Sequence, residues 1–207
     1  MKRRLVVSFV VMVLAALAFS ALGAVGEDVC SVATRVMPEA CVTQTDVFIV
    51  LDQVFGTCGA EPATSAADVV AAFIAKGFLP KDFVLEPNAC VSKGFVSQIL
   101  YRAFGLRPGL IDRVQMAIYG LTSKIACGIA QDHCLMVIGE HGELLNGREL
   151  VACIHAWISF SFKNEPLPCT TSVVAHRAQL STWRKYLPMT WQEAATYMPC
   201  LVPVPTS

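Results

Sequence analysis

A mainly α-helical chain is predicted, and three observations predict it. Period-two alternation of apolar and polar residues is almost absent, and no two strand-like runs are joined by a hairpin turn. Ser, Thr or Asn followed three residues later by Asp or Glu recurs ahead of apolar runs of helical period, at Thr43, Ser65, Asn146 and Thr190. Finally, one stretch is written almost twice. Pro38 to Gly56 and Pro87 to Gly105 align at an offset of 49 residues with eight of nineteen positions identical, a cysteine among them, which marks duplicated structural units.

In chain order, Thr43 caps a helix with Asp46 completing its capping box, and Val47, Val50, Leu51, Val54 and Phe55 form one apolar stripe ended by Gly56. Ser65 and Asp68 open an alanine- and valine-rich helix closed near Lys76 by Gly77. A connector from Pro80 to Asn88 leads to the cap Ser92, after which Val96, Ile99, Leu100, Ala103 and Phe104 repeat the stripe up to Gly105. Arg107-Pro-Gly109 is a turn, and Leu110 to Ala130 reads as two helices with a break near Gly120. After the Gly139 to Gly142 loop, Asn146 and Glu149 box the start of a helix carrying Leu150, Cys153, Ile154, Trp157 and Ile158, a third unit set about five residues further on than the second. Asn164 to Cys169 is a proline-rich linker, and Ser172 to Tyr186 and Thr190 to Met198 are two further helices before a short tail.

The N-terminus has its own logic. Lys2, Arg3 and Arg4 precede an uncharged apolar run from Leu5 to Val25 that ends in small residues at Ala21, Gly23, Ala24 and Gly26, the pattern of an export signal cleaved near Gly23 or Gly26. The run is also long enough, at about twenty residues, to remain as a membrane anchor. Residues 1–26 are thus a signal peptide or anchor, 27–163 a helical repeat domain, and 164–207 a linker with a C-terminal helical segment. Without its cationic leader the chain is mildly acidic and has no basic cluster, which argues against a nucleic-acid partner. Membrane contact is then expected only through residues 5–25, if they are retained.

All nine cysteines, at Cys30, Cys41, Cys58, Cys90, Cys127, Cys134, Cys153, Cys169 and Cys200, follow that segment, and in an oxidising compartment they are candidate disulfide partners. The odd count leaves at least one thiol free, pairs a second chain, or means that bridging is incomplete. Cys41 and Cys90 hold equivalent places before their helices, so they either meet or each has a corresponding partner elsewhere.

A cap after a Pro-Asn-like turn, then an apolar helix ending in aromatic-Gly, preceded by a shorter helix closed by Gly-aromatic-Leu, resembles the S-layer homology repeat of bacterial envelope proteins. Phe83 to Asn88, Ser92 and Ile99 to Phe104 carry most of the likeness, which covers residues 38 to 105 well and 106 to 162 loosely. The resemblance implies three helix-loop-helix repeats packed as a bundle that binds cell-wall polymer in grooves, through a Thr-Arg-Ala-Glu-like motif at each repeat helix start. The corresponding starts, with caps Thr43, Ser92 and Asn146, place Gln44, Lys93 and Gly147 at the arginine position. Lys93, Arg148, Arg102 and Arg107 are therefore the candidate ligand-binding residues, Lys93 as a point charge rather than a bidentate fork.

Other constellations say less. No Cys-x-x-Cys or His-x-x-x-His spacing marks a metal site, and neither metal nor cofactor is expected. Glu140, His141 and Glu143 sit in a glycine-rich loop that solvation explains. Trp183, Tyr186, Trp191 and Tyr197 read as packing of the C-terminal helices, with a partner-binding surface as the alternative. The expectation is an exported, disulfide-supported, non-enzymatic structural or binding module of the periplasm or cell envelope, contacting wall polysaccharide or another envelope protein. The rival is a periplasmic thiol-dependent or hydrolytic enzyme using Cys134 with a histidine.

Overall fold

The computed structural model describes residues 29–56, 65–163 and 185–198, so the leader, Cys58, Cys169, Cys200, the proline-rich linker, Trp183, most of the helix expected over 172–186 and the C-terminal tail lie outside the described residues. Eight helices are present among them and no strand: α1 Val29–Val36, α2 Gln44–Phe55, α3 Ala66–Ala75, α4 Lys93–Phe104, α5 Leu110–Tyr119, α6 Ser123–Asp132, α7 Gly147–Lys163 and α8 Trp191–Tyr197. The chain is mainly α and carries a disulfide, as expected.

Helix starts follow the local code. The Asp46 amide donates to Thr43 Oγ1 at 3.3 Å while the Thr43 amide donates to the Asp46 carboxylate at 3.3 Å. Ser92 Oγ accepts from the Phe95 amide at 3.2 Å. Asn146 Oδ1 accepts from the Glu149 amide at 3.0 Å, and Glu149 returns the bond to the Asn146 amide at 3.1 Å. Each cap satisfies donors that the first helical turn leaves without a partner. At the other ends of α2 and α4, Gly56 (φ 59°, ψ 42°) and Gly105 (φ 58°, ψ 42°) take the left-handed conformation, which only glycine adopts without strain.

Backbone hydrogen bonds bring the capped starts together. The Val42 amide donates to Leu145 O (2.8 Å), the Leu145 amide to Val91 O (2.9 Å), and the Val91 amide to Val42 O (2.9 Å). These three segments, each just ahead of a long helix, close a ring of hydrogen bonds. A second tier runs in the opposite sense: the Gln44 amide donates to Ala89 O (2.9 Å), Lys93 to Glu143 O (2.8 Å) and Gly147 to Glu39 O (3.0 Å). The first amide of each long helix is thus satisfied by the loop of a neighbour. Val42, Val91 and Leu145 are buried, so these polar groups need protein partners, and the ring supplies them.

Around the ring α2 packs against α1 and α3, α4 against α6, and α7 against α1, α2 and α8, while α5 meets α6. Phe48 meets Phe73, Phe83 and Phe95 edge-on with ring centroids 5.9, 5.8 and 6.2 Å apart. Such pairs each contribute about 1 kcal/mol beyond the area they bury. From Leu150 to Ser159, α7 is buried on every side, and Trp157 Nε1 donates to Leu135 O at 2.6 Å.

One local outcome departs from a simple periodic reading. The helix through Cys127 stops at Asp132, and Cys134 takes a positive φ of 55° in the turn beyond it, so Cys127 and Cys134 do not share one helix. Leu135 then donates back to Ala130 O at 2.8 Å, closing the helix as Phe78 closes α3 onto Phe73 O at 2.8 Å.

Candidate functional site

The side chain of Lys93 turns inward from the first position of α4. A cation at a helix N-terminus opposes the helix dipole, and burial adds a desolvation cost, so this lysine requires compensation. It receives two carboxylates: Nζ lies 2.7 Å from Glu143 Oε2 and 2.9 Å from Glu149 Oε1, with Ile138 O accepting at 3.4 Å. Burial alone would lower the Lys93 pKa, but the hydrogen bonds and charges of Glu143 and Glu149 outweigh it and hold the value above ordinary. The Lys93 hydrogen bond holds the Glu143 carboxyl below the usual carboxylate range. Glu149 also completes the cap of α7 through its other oxygen, so one acid ties the starts of α4 and α7 together.

This ion cluster fixes the loop from Ile138 to Glu143 over α4 and α6. Gln131 on α6 donates its amide to Val137 O (3.0 Å) and Gly139 O (2.9 Å), and the Gly94 amide donates to His141 O (2.8 Å). Glycines permit the approach: a Cβ on Gly94 would lie 2.8 Å from His141 O and 2.9 Å from Ser123 Cβ, and one on Gly139 would run into Lys93 Nζ and the Glu143 carboxylate.

Between α6 and this loop lies a cleft of about 400 Å³ lined by Lys124, Cys127, Gly128, Gln131, Gly139, Glu140 and His141. Lys124, Glu140 and His141 are exposed at its mouth, and Cys127 is buried at its floor. Burial raises the Cys127 pKa, which keeps the thiol protonated and a poor nucleophile. A cation, a carboxylate, an imidazole and a primary amide around a shallow cleft suit a ligand rich in hydrogen-bonding groups.

The four candidate ligand residues do not converge. Lys93 is buried and doubly paired, which corrects the expectation that it lines an open groove. Arg102 lies nine residues further along α4, about 14 Å at 1.5 Å per residue, and donates from Nη1 to Phe78 O at 3.1 Å. Arg107 is exposed, with its carbonyl 3.1 Å from His133 Nε2. Arg148 is exposed, and its charge acts on Glu193 of α8, whose carboxyl is held low first by hydrogen bonds from Thr190. The arginine position of the third start is Gly147 for a steric reason, because a Cβ there would collide with the Val36 carbonyl. Lys124 and Gln131 escaped the sequence reading, since only the fold brings α6 beside the glycine-rich loop.

Cys41 and Cys90 form a disulfide. Cys134 is also disulfide-bonded. Cys127 and Cys153 are buried thiols, the latter pushed up to about 12 by burial. His155 is buried, with Nε2 2.8 Å from Met189 O. Among the described residues no group of three or more His, Cys, Asp and Glu side chains is placed to hold a metal ion, and no helix is long and apolar enough to cross a membrane. No family model, curated protein or solved structure matches this chain.

Proposed function

We propose that this chain is an exported, non-enzymatic binding module of the bacterial cell envelope, built on degenerate units like the S-layer homology repeat, which contacts wall polysaccharide. The observation that carries this reading is the polar cleft between α6 and the loop from Ile138 to Glu143, held open on a scaffold of three capped helix starts. The ring of Val42, Val91 and Leu145 supports a common origin for the three units, since it joins equivalent positions of each. The leader and the cysteine content support export. Binding then rests on Lys124, Glu140 and His141, which are exposed, in place of Lys93, which is not.

The rival thiol enzyme requires a Cys134 thiolate, and that sulfur is held in a disulfide. Co-sedimentation with purified peptidoglycan and wall polysaccharide tests the binding reading. Retention of the native chain, falling about tenfold in Lys124→Ala and His141→Ala, a loss of about 1.4 kcal/mol, is the expected result. Retention that is absent, or equal in the variants, sinks it.

A further inference from the structure

Helix α5, which meets α6, is built the wrong way round for a helix packed on a core. Five of the nine large apolar side chains that stand exposed among the described residues belong to it: Leu110, Ile111, Val114, Ile118 and Tyr119, at 56% to 79% exposure. None of its ten residues is buried. At about 100° per residue, Leu110, Val114, Ile118 and Ile111 share an arc of about 100°, and Asp112 and Met116 lie on the opposite side. It is Asp112 and Met116 that are half-buried: Asp112 accepts from the Gly109 amide at 3.1 Å, and Met116 Sδ accepts from Tyr101 at 3.8 Å. The helix therefore presents its apolar stripe directly away from the protein body.

We infer that α5 lies on the surface of an anionic lipid bilayer, its apolar stripe inserted at the interface. Every exposed charged side chain from Gly105 to Lys124 is cationic: Arg107 before the helix, Arg113 beside the stripe and Lys124 after it. The acid of the segment, Asp112, is turned to the protein and occupied by the helix start. An apolar face bordered by cations is complementary to anionic headgroups over acyl chains. Ten residues make a helix about 15 Å long, half of what crossing the hydrocarbon core takes, so α5 lies in the plane of the membrane. A second copy of the chain is the poorer occupant. A standard dimer interface draws on roughly 20–30 residues a side, and the like-charged border would face itself.

This inference is independent of the wall-polymer reading, because the cleft and the stripe share no residue except Lys124 at their common edge. The test is amide hydrogen exchange of the full chain, read by residue, with vesicles of phosphatidylcholine plus phosphatidylglycerol and with phosphatidylcholine alone. Residue-level reading separates α5 from any attachment through residues 5–25. Exchange across Leu110–Tyr119 is expected to slow about tenfold on the anionic vesicles and far less on the neutral ones. Leu110→Gln with Ile118→Gln, at exposed positions that leave the melting temperature unchanged, abolishes the slowing, and Arg113→Gln reduces it. Equal slowing on both vesicle types, no slowing on either, or slowing without lipid that grows with protein concentration overturns the inference, the last assigning the face to a second copy.

Discussion

Cys41 and Cys90 are bonded to each other across a sequence separation of 49 residues, which is also the offset at which the chain repeats itself. Their Cα atoms lie 5.7 Å apart because the Val91 amide donates to Val42 O beside them. The disulfide thus links equivalent points of the two similar stretches, and ahead of the capped start at Asn146 the corresponding place holds Leu144, paired with Ser92 in an isolated bridge.

Closing a loop of this length removes unfolded-state entropy corresponding to about 4 kcal/mol. Cys41→Ser with Cys90→Ser is expected to lower stability by about that amount, read as a shift in the urea midpoint. Reductant should destabilise the native chain more than the double variant. A midpoint unchanged by the substitution would mean that the ring of backbone bonds holds these starts unaided.

Two glycine substitutions should act in opposite directions. Gly147→Ala drives its Cβ into the Val36 carbonyl and must break the contact of the Gly147 amide with Glu39 O, which is expected to cost about 3 kcal/mol. Gly128→Ala, in the middle of α6 with open space around the added Cβ, is expected to stabilise by about 1 kcal/mol. Chemical denaturation of both variants beside the native chain reads the contrast.

Lys93→Met leaves Glu149 partly buried without its cation and is expected to destabilise by about 3 kcal/mol. Adding Glu149→Gln, which keeps the capping geometry, should recover part of that loss. If the double variant is no more stable than Lys93→Met, the cost is packing rather than charge.

The same cluster sets a pH dependence. The folded-state pKa of Lys93 is raised, so its contribution is full below the unfolded value near 10.4 and is lost as pH rises through the folded value. The folded-state pKa of Glu143 is lowered, so its contribution is present above the ordinary value near 4.3 and is lost as pH falls through the folded value. Melting temperature should hold level between these limits and fall on either side, with the alkaline fall reduced in Lys93→Met. An alkaline limb identical in the variant would remove Lys93 from its cause.

Cys127 and Cys153 should resist alkylation at pH 8 in the native protein, because burial raises both thiols and blocks access. Both should react fully in denaturant, as mass spectrometry of the labelled peptides would report. Rapid native labelling of Cys127 would make the cleft floor open to solvent and its thiol a candidate for chemistry.

The helix boundaries were legible because their causes are local. Thr43 and Asp46, Ser92 and Phe95, and Asn146 and Glu149 meet three residues apart, within one turn, and Gly56 and Gly105 stop their helices through their own backbone freedom. The candidate site was less legible. Lys93 looked like an exposed cation, and its partner Glu143 is 50 residues away. Lys124 and Gln131 carried no signal, since a lysine and a glutamine on an amphipathic helix look like solvated surface until a loop is laid over them.

By itself the sequence determined the fold class and the start and stop of each long helix, through interactions between residues a few positions apart. Only the tertiary structure decided that three helix starts close a ring, that Cys41 meets Cys90, that Lys93 turns inward and that α5 turns its apolar stripe outward. Each of these depends on which loop satisfies which distant amide, carboxylate or cation. That choice follows from closing the whole chain around one core, where a buried polar group takes its partner from whichever segment the packing delivers.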